Sequence, residues 1–355
     1  MNSRSMRIIT LALACQLVSG PSLGSGFKDP LERPSAMIGS LAQNARLTAI
    51  ARGGKRLIAA GPRGMVLLSD DEGTTWKQVQ VPLSSDLVAL HFRSAERGWA
   101  VGHDGVILHT ADGGLTWSRQ LDGIKAAALI GRHYAGRNLG AGPADVKLRE
   151  DVQRFVDDGA DKPFLDILFT SDTEGFAVGA FNLAMHTTDG GKSWEPLIDR
   201  TENPSGFHLY ALAQAGGELY AAGEQGLLLR WNRAAGKFDS VKSPYRGSYF
   251  GLLGKGDTLF AFGLQGKAFR SSDAGQNWTQ LRGTGSASLT GATVLPDGRI
   301  LFISQGGKLL LSADDGETFS EVSAPRPMPY FGVAPASGRT VAVVGSNGAA
   351  TIALP

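Results

Sequence analysis

Aspartates recur along this 355-residue chain beside serine or threonine, an arrangement that could supply acids and bases for hydrolysis. They belong to five copies of one pattern, S/T-x-D-x-G-x-T/S/N-W/F, which we call the aspartate motif. The copies contain Asp71, Gly73 and Trp76; Asp112, Gly114 and Trp117; Asp189, Gly191 and Trp194; Asp273, Gly275 and Trp278; and Asp314, Gly316 and Phe319. Because a catalytic group is rarely needed in five copies, the repetition favours a structural role.

Each position of the aspartate motif has a physical role in a tight turn between two strands. The carboxylate can accept N–H bonds within its own turn, the glycine supplies a positive φ, and the Thr or Ser hydroxyl closes the loop. The aromatic residue then packs between neighbouring sheets. We therefore assign no catalytic residue to these motifs, and we expect the protein not to be an enzyme.

Residue types that bind metals or attack substrates show no matching spacing elsewhere. His109 and His186 precede two aspartate motifs at equivalent positions, which makes them surface residues of the repeat. No set of His, Cys, Asp and Glu has the spacing of metal ligands, and no glycine-rich loop carries the Lys-Ser/Thr of a phosphate-binding loop. The sequence predicts neither a metal nor a cofactor.

Composition excludes several classes of protein. The chain has 48 glycines and 42% hydrophobic residues without a Gly-X-Y period, which excludes collagen and disorder and favours short buried strands joined by tight turns. Lys and Arg number 35 against 33 Asp and Glu, for a formal net charge of +2. This balance lacks the basic footprint of a nucleic-acid-binding protein, so nucleic acid is not an expected partner.

A second repeat sets the architecture. An apolar strand ends in a Gly-x-x-Gly turn and a further apolar strand follows, in seven units whose turns start 41, 77, 44, 40, 41 and 41 residues apart. Five turns have both glycines, at residues 61–64, 102–105, 223–226, 263–266 and 345–348, and two are variants, Gly179 to Asn182 and Ser304 to Gly307. Four short strands per period of about 41 residues are typical of propeller blades. The predicted fold is all-β, a seven-bladed β-propeller over residues 47–355.

The one long interval between units holds an insertion at residues 122–163, between blades two and three. Apolar residues recur there at helical spacing: Leu148, Val152, Phe155 and Val156. Asp145 is the expected N-cap and Gly159 the expected stop. We expect one amphipathic helix that either covers a rim of the propeller or docks a partner.

The N-terminus has the pattern of a secretory signal peptide over residues 1–26. A basic start is followed by an apolar run at residues 8–18 and by small residues up to Gly26. We expect export to the periplasm or another extracytoplasmic compartment, with lipid attachment at Cys15 as the alternative. No later stretch has the length of apolar residues that a transmembrane helix needs.

The sequence after residue 330 has room for about three strands of blade seven, whereas the other blades have four. Residues 27–46, and residues 35–43 in particular, are the expected source of a fourth strand that closes the ring. Such a strand would also remove an exposed sheet edge.

The aspartate motifs resemble Asp-box (BNR) repeats. Together with the strings Gly98–Gly102 and Gly175–Gly179, which read G-W/F-A-V-G, they resemble the photosystem II stability/assembly factor family of β-propellers. The resemblance covers residues 47–354. It implies a non-enzymatic exported scaffold or assembly factor for a membrane protein complex, either of the photosystem type or an exporter of the resistance-nodulation-division type. A monomer is expected.

Asp-box repeats also occur in sialidases, so a glycan-binding or glycoside hydrolase propeller is the alternative. That class resembles a six-bladed propeller with an Arg-Ile-Pro motif, an arginine triad and a Tyr/Glu pair. This chain has no Arg-Ile-Pro and has seven units. A sialidase would require an acidic pocket with an arginine cluster at the propeller axis.

Strand order predicts which face binds the partner. If strands run outward from the axis, turns between second and third strands share one face, the upper face, with the connections between blades and the insertion. The aspartate motifs then lie on the opposite, lower face. Connections of this kind vary most and carry most binding residues. The residues expected to bind are Arg63, His103, Phe181, Glu224, Gln225, Tyr245, Arg246, Gln265 and Arg326.

Overall fold

The computed structural model describes residues 28–355. The predicted signal peptide at residues 1–26 and the alternative lipid site at Cys15 lie outside the described residues. Both stay predictions.

Seven antiparallel sheets of consecutive strands make up most of this part of the chain. Blade one contains β1 (Ala49–Gly53), β2 (Arg56–Gly61), β3 (Met65–Ser69) and β4 (Lys77–Val79), and blade two contains β5 (Leu87–Phe92), β6 (Gly98–Gly102), β7 (Ile107–Thr110) and β8 (Ser118–Leu121). Blade three contains β9 (Phe164–Phe169), β10 (Gly175–Gly179), β11 (Ala184–Thr187) and β12 (Glu195–Pro196). Blade four contains β13 (Leu209–Ala215), β14 (Glu218–Gly223), β15 (Leu228–Asn232) and β16 (Lys237–Ser240), and blade five contains β17 (Tyr249–Lys255), β18 (Thr258–Gly263), β19 (Ala268–Ser271) and β20 (Thr279–Gln280). Blade six contains β21 (Leu289–Val294), β22 (Ile300–Ser304), β23 (Leu309–Ser312) and β24 (Ser320–Val322), and blade seven contains β25 (Tyr330–Pro335), β26 (Thr340–Gly345) and β27 (Gly348–Ala353).

The blades surround an axis, with the first strand of each blade innermost. β1 contacts β5, β5 contacts β9, and the series of inner-strand contacts continues to β25, which contacts β1. Within each blade the strands then follow in chain order toward the outside. This closed ring confirms the predicted all-β, seven-bladed β-propeller.

The hydrophobic core lies between neighbouring blades. Trp99 of blade two stacks on Phe169 of blade three with ring centroids 3.6 Å apart, and both side chains are almost fully buried. Phe262 of blade five meets Phe302 of blade six edge-on at 5.1 Å. Apolar sheet faces thus hold each blade against the next.

Steric limits explain why glycine is needed at both ends of the Gly-x-x-Gly turns, and blade two is an example. A Cβ on Gly102 would lie 1.9 Å from the carbonyl oxygen of Asp86, in the connection that enters the blade, so no side chain fits there. Gly105, at the end of the turn, has a φ of +61°, which other residues rarely adopt. The first glycine therefore allows the connection to pass, and the last one reverses the chain.

The five aspartate motifs form the same turn between third and fourth strands. In blade two, the Asp112 carboxylate accepts bonds from the Thr110 hydroxyl at 2.8 Å and from the Thr116 amide and hydroxyl at 2.9 and 2.6 Å. The indole N–H of Trp117 donates to the Gly114 carbonyl at 2.9 Å. The carboxylate is thus committed to bonds within its own turn.

The expected closing strand from residues 27–46 is wrong. Within residues 28–46 the chain forms two 3-10 helices, Pro30–Glu32 and Gly39–Asn44, and blade seven has three strands among the described residues. The segment between the helices bonds to blade one instead, since the Ser35 amide donates to the Val81 carbonyl at 3.0 Å. Ala42 is then buried against Val344 of blade seven.

The insertion contains two helices, α1 (Gly123–Ala135) and α2 (Pro143–Asp158), of which only α2 was expected. Gly159 ends α2 as predicted, with a φ of +61°. The predicted N-cap is wrong, because Gly142 occupies that position and Asp145 lies within the first turn. Phe155 is 5% exposed, whereas Val156 is 41% exposed, so the buried face is narrower than expected. Within residues 28–355, no helix is long and apolar enough to cross a membrane.

Candidate functional site: the upper face

Backbone contacts place the expected binding turns together with the connections between blades. The Arg63 amide donates to the Asp86 carboxylate at 2.8 Å, and the His103 amide donates to the Asp86 carbonyl at 2.9 Å. On the lower face, Gly113 of an aspartate motif donates to the Glu96 carbonyl at 2.8 Å. The aspartate motifs therefore lie opposite the upper face.

Besides Asn182 of blade three, whose φ is +64°, five blades each hold one non-glycine residue in the left-handed region at the third position of the upper turn. These residues have left-handed φ values of +57°, +56°, +54°, +50° and +57°: Arg63, Asp104, Phe181, Gln225 and Gln265. A side chain in this region costs roughly 1–2 kcal/mol relative to ordinary backbone. Strain of this kind persists where the surrounding structure holds it, and it collects at functional sites. We call these residues the left-handed ring.

Blades three to five bring aromatic side chains together next to this ring. Phe181 is 46% exposed, and its ring centroid lies 4.5 Å from that of His208. Tyr210 meets Phe250 edge-on at 5.8 Å. The Tyr210 hydroxyl lies 3.4 Å from a carboxylate oxygen of Glu224. These five residues form what we call the aromatic cluster.

Glu224 gives the aromatic cluster a carboxylate in a fixed position. One of its oxygens accepts the backbone N–H of His208 at 2.8 Å and lies 3.0 Å from that residue's Nδ1. Burial, reinforced by the Glu224 charge, raises the pKa of Tyr210 to about 12, so its hydroxyl keeps its proton and donates to Glu224. Aromatic faces beside a carboxylate suit an apolar or a basic side chain of a partner.

Two members of the aromatic cluster owe their position to a bulge. In six blades the pairing register shifts at the second residue of the inner strand. These residues are Val88, Leu165, Tyr210, Phe250, Thr290 and Phe331. A bulge re-aims its side chain, and the inner strands begin at the upper face, so these residues ring the upper mouth of the axis.

A family model described as photosynthesis system II assembly factor YCF48 matches residues 68–130 and 148–321. The chain belongs to this family. The match spans six of the seven blades in part or whole and omits residues 131–147 of the insertion. All five aspartate motifs therefore lie in the matched region, while the tip of the insertion lies outside it.

Curated relatives in the Ycf48 family match at modest identity. The photosystem II assembly lipoprotein Ycf48 of Synechococcus sp. (strain CC9902) is 26% identical over 165 residues, covering 44% of this chain and 48% of the relative. The photosystem II stability/assembly factor HCF136 of Arabidopsis thaliana is 24% identical over 207 residues, covering 51% of each. The chain spans about half the length of these curated relatives.

Solved structures support the fold over almost the whole chain. A structure described as YCF48 bound to D1 peptide is 18% identical, with a TM-score of 0.62, and covers 93% of this chain and 98% of the other. The WD40 β-propeller domain of Doa1 gives a TM-score of 0.60 at 11% identity, covering 91% and 96%. At these identities the likeness shows the β-propeller fold.

In this Ycf48-family chain, the structure groups some of the expected binding residues and separates others. Phe181 and Glu224 meet through His208, within the aromatic cluster. The Tyr245 hydroxyl donates to the Leu264 carbonyl at 3.2 Å. The remaining expected residues are exposed and distributed around the upper rim: Arg63, His103, Gln225, Arg246, Gln265 and Arg326. Their role in binding stays a prediction.

The inner strands of this Ycf48-family propeller carry one unusual carboxylate. Asp166 follows the bulge of blade three and accepts amides of Ile167 and Leu212 at 2.8 and 2.7 Å. Burial of the carboxylate raises its pKa to about 7. The equivalent residues in the other blades are Ala49, Ala89, Ala211, Gly251, Gly291 and Gly332.

These inner-strand positions do not match the site that the sialidase alternative requires. Among the bulge residues and those that follow them, the described chain has one carboxylate and no arginine. Nor does any group of His, Cys, Asp or Glu in residues 28–355 have an arrangement that could hold a metal ion. The geometry of the upper face favours contact with another protein.

Proposed function

We propose that this protein is a non-enzymatic scaffold that binds a segment of a membrane protein through its upper face and assists assembly of the complex. The observation that carries the proposal is the aromatic cluster, in which exposed Phe181 packs on His208, and His208 in turn lies next to Tyr210 and the fixed Glu224 carboxylate. Membership in the Ycf48 family supports it, because the relatives are described as photosystem II assembly factors.

The physical basis is a rigid set of contacts on a closed ring. Aromatic side chains supply a large contact area and lose little conformational entropy on binding, since they have two rotatable bonds. Phe181 is held further by the Lys162 ammonium, which lies 5.3 Å from its ring and is itself bonded to Asp158 and Asp161. Preorganised groups of this kind lower the cost of ordering an interface.

A peptide segment of the partner is the proposed ligand. One solved relative with the same fold is described as bound to D1 peptide, which supports a peptide as the ligand class. A complex of the photosystem type is the proposed partner, because the curated relatives carry that description. The relatives named above give no support to an exporter of the resistance-nodulation-division type as the partner.

The proposed location is the extracytoplasmic side of a membrane. One relative is described as a lipoprotein, which supports export and keeps lipid attachment at Cys15 as the alternative to cleavage near Gly26. Lipid attachment would anchor the propeller at the membrane surface, whereas the cleaved form would reach the complex by diffusion.

Site-specific photo-crosslinking in the native host tests the proposal. Benzoylphenylalanine replaces Phe181 in one variant and Leu115 in its control, which is 49% exposed and belongs to an aspartate motif on the lower face. We expect irradiation to join the position-181 variant, and not the position-115 variant, to one membrane protein identified by mass spectrometry. Equal products at both positions, or none at 181, would refute binding through the aromatic cluster.

A further inference from the structure

A groove of about 620 Å³ lies between α2 and the connection from blade three to blade four, and we call it the α2 groove. Its volume falls within the roughly 300–1,000 Å³ of typical ligand sites. Apolar side chains from both walls line it: Leu139, Ala144, Leu148, Ile198 and Pro204. It is open to solvent, so an occupant can enter from the surface without rearrangement of the fold.

The walls of the α2 groove are firmly built. Asn203 bonds to Asn182 at 3.0 Å and to the Phe207 carbonyl at 2.8 Å, which fixes the connection against the turn that carries Phe181. The Tyr134 hydroxyl of α1 donates to Asp199 at 2.6 Å, which ties the insertion to the same connection. These hydrogen bonds therefore hold both walls of the groove in place.

Among the residues that line the groove, carboxylates outnumber ammonium groups, although all but one of these carboxylates pair with a cation. Four carboxylates line the groove against a single ammonium: Asp145, Asp151, Asp199 and Glu202, against Lys147. Lys147 forms an ion pair with Asp151, and cations that do not line the groove, Arg137 and Lys237, pair with Asp199 and Glu202. Within residues 28–355, Asp145 is the lining carboxylate that forms no salt bridge, so it is the one available to a basic group in the groove.

The α2 groove is also distinct from the repeated blades. Leu139, Ala144, Asp145 and Lys147 belong to residues 131–147, which the Ycf48 family model does not match. Asp151 lines both the groove and the small crevice beneath Phe181, so the groove adjoins the aromatic cluster. A segment bound at one site can continue to the other.

We propose that the α2 groove docks a short peptide segment of the partner in which an apolar side chain stands next to Lys or Arg. The apolar side chain packs against Leu148 and Ile198, and the basic group pairs with Asp145. Charge complementarity selects this occupant, because an acidic segment would meet carboxylates on both walls. The proposal rests on the proposed role in protein binding and adds a second contact that determines which segment binds.

Fluorescence anisotropy with two designed probes tests the proposal. The first is a fluorescein-labelled peptide, Gly-Arg-Leu-Gly-Leu-Arg-Gly, and the second carries Glu in place of each Arg. We expect saturable binding of the first alone, weakening as salt rises from 20 to 200 mM by a factor of about ten. Asp145→Lys should weaken binding about tenfold. The matched control is Glu150→Lys, which makes the same charge change at an exposed α2 residue that does not line the groove.

Hydrogen exchange on the unaltered protein gives a readout that needs no variant. The arginine peptide should slow amide exchange in residues 144–151 and 198–204 and leave the aspartate motifs unchanged. Equal weakening by Asp145→Lys and Glu150→Lys, equal binding of both probes, or protection confined to other segments would overturn the proposal. The proposed function fails separately, through the crosslinking at position 181, because that experiment does not involve the groove or the probes.

Discussion

Gln265 offers a direct test of strain in the left-handed ring. It is exposed, has a φ of +57°, and lies between Leu264 and Gly266 in the upper turn of blade five. A Cβ in this region costs about 1–2 kcal/mol, whereas glycine loses about 0.5–1 kcal/mol more chain entropy on folding. The difference predicts that Gln265→Gly raises the free energy of unfolding by up to about 1.5 kcal/mol. The backbone N–H bond to Ser288 is kept, since it does not involve the side chain.

Two further substitutions test whether the effect of Gln265→Gly comes from relief of backbone strain. Gln265→Val places a β-branched residue at positive φ and should lower the free energy of unfolding by about 1–2 kcal/mol. Gln214, also exposed but within β13, is the matched control, and Gln214→Gly should lower it by about 0.5–1 kcal/mol. Urea unfolding followed by tryptophan fluorescence measures all three, because the chain has 6 tryptophans. If Gln265→Gly destabilises as much as Gln214→Gly, the strain argument is refuted.

Three further predictions concern other parts of the propeller. Hydrogen bonds from Thr318 lower the pKa of Asp314 to about 2, below its value in the unfolded chain. The Asp314 carboxylate therefore stabilises the folded state above pH ~4, and this contribution is lost as the pH falls toward 2. In Asp314→Asn, the free energy of unfolding should fall less steeply between pH 4 and pH 2, as measured by acid unfolding. Burial raises the pKa of Asp166 to about 7, so ionising this carboxyl group destabilises the folded state increasingly as the pH rises from 4 to 8. Asp166→Asn should remove this pH-dependent loss of stability. Thermal unfolding at pH 4 and pH 8 measures it. Gly105→Ala would place a Cβ 2.7 Å from Cα of Gly123 at a φ of +61°, and should lower the unfolding free energy by about 2 kcal/mol in a denaturant titration.

The repeated blades could be predicted closely because the turn chemistry repeats. The strings Gly98–Gly102 and Gly175–Gly179 are second strands whose every residue is buried, as their apolar runs between glycines indicate. Inner strands begin at Leu87 and Leu209, and the first begins at Ala49, close to the predicted start of the propeller at residue 47. Thr48 precedes this strand, and its hydroxyl donates to the Leu87 carbonyl of blade two.

The predictions from sequence were wrong in segments whose conformation is decided by tertiary contacts and not by the local sequence pattern. Residues 35–43 have no strong preference for a strand, and their bonds to blade one decide their conformation. The helix α1 was missed because its apolar residues are nearly continuous from Ala126 to Ile130, which gives no clear helical period. Its N-cap Asp122, which accepts the Lys125 amide at 2.9 Å, was the available signal.

The aromatic cluster was predictable only in part. Phe181 and Glu224 belong to turns, where exposed residues stand out in the sequence. Tyr210 and Phe250 instead belong to strands, and only the bulge directs them toward the upper mouth of the axis. Aligning the second residue of each inner strand would have shown that blades four, five and seven carry an aromatic residue there.

The left-handed ring has a consequence for how such a molecule can change over evolution. Its members lie in five separate blades, and among the described residues no hydrogen bond joins one member to another. Substitutions at distant sites with no shared partners have additive effects on stability. A combinatorial library at these five positions would therefore vary the recognition surface while the scaffold stays constant. The fold allows a lineage to acquire new partners one turn at a time.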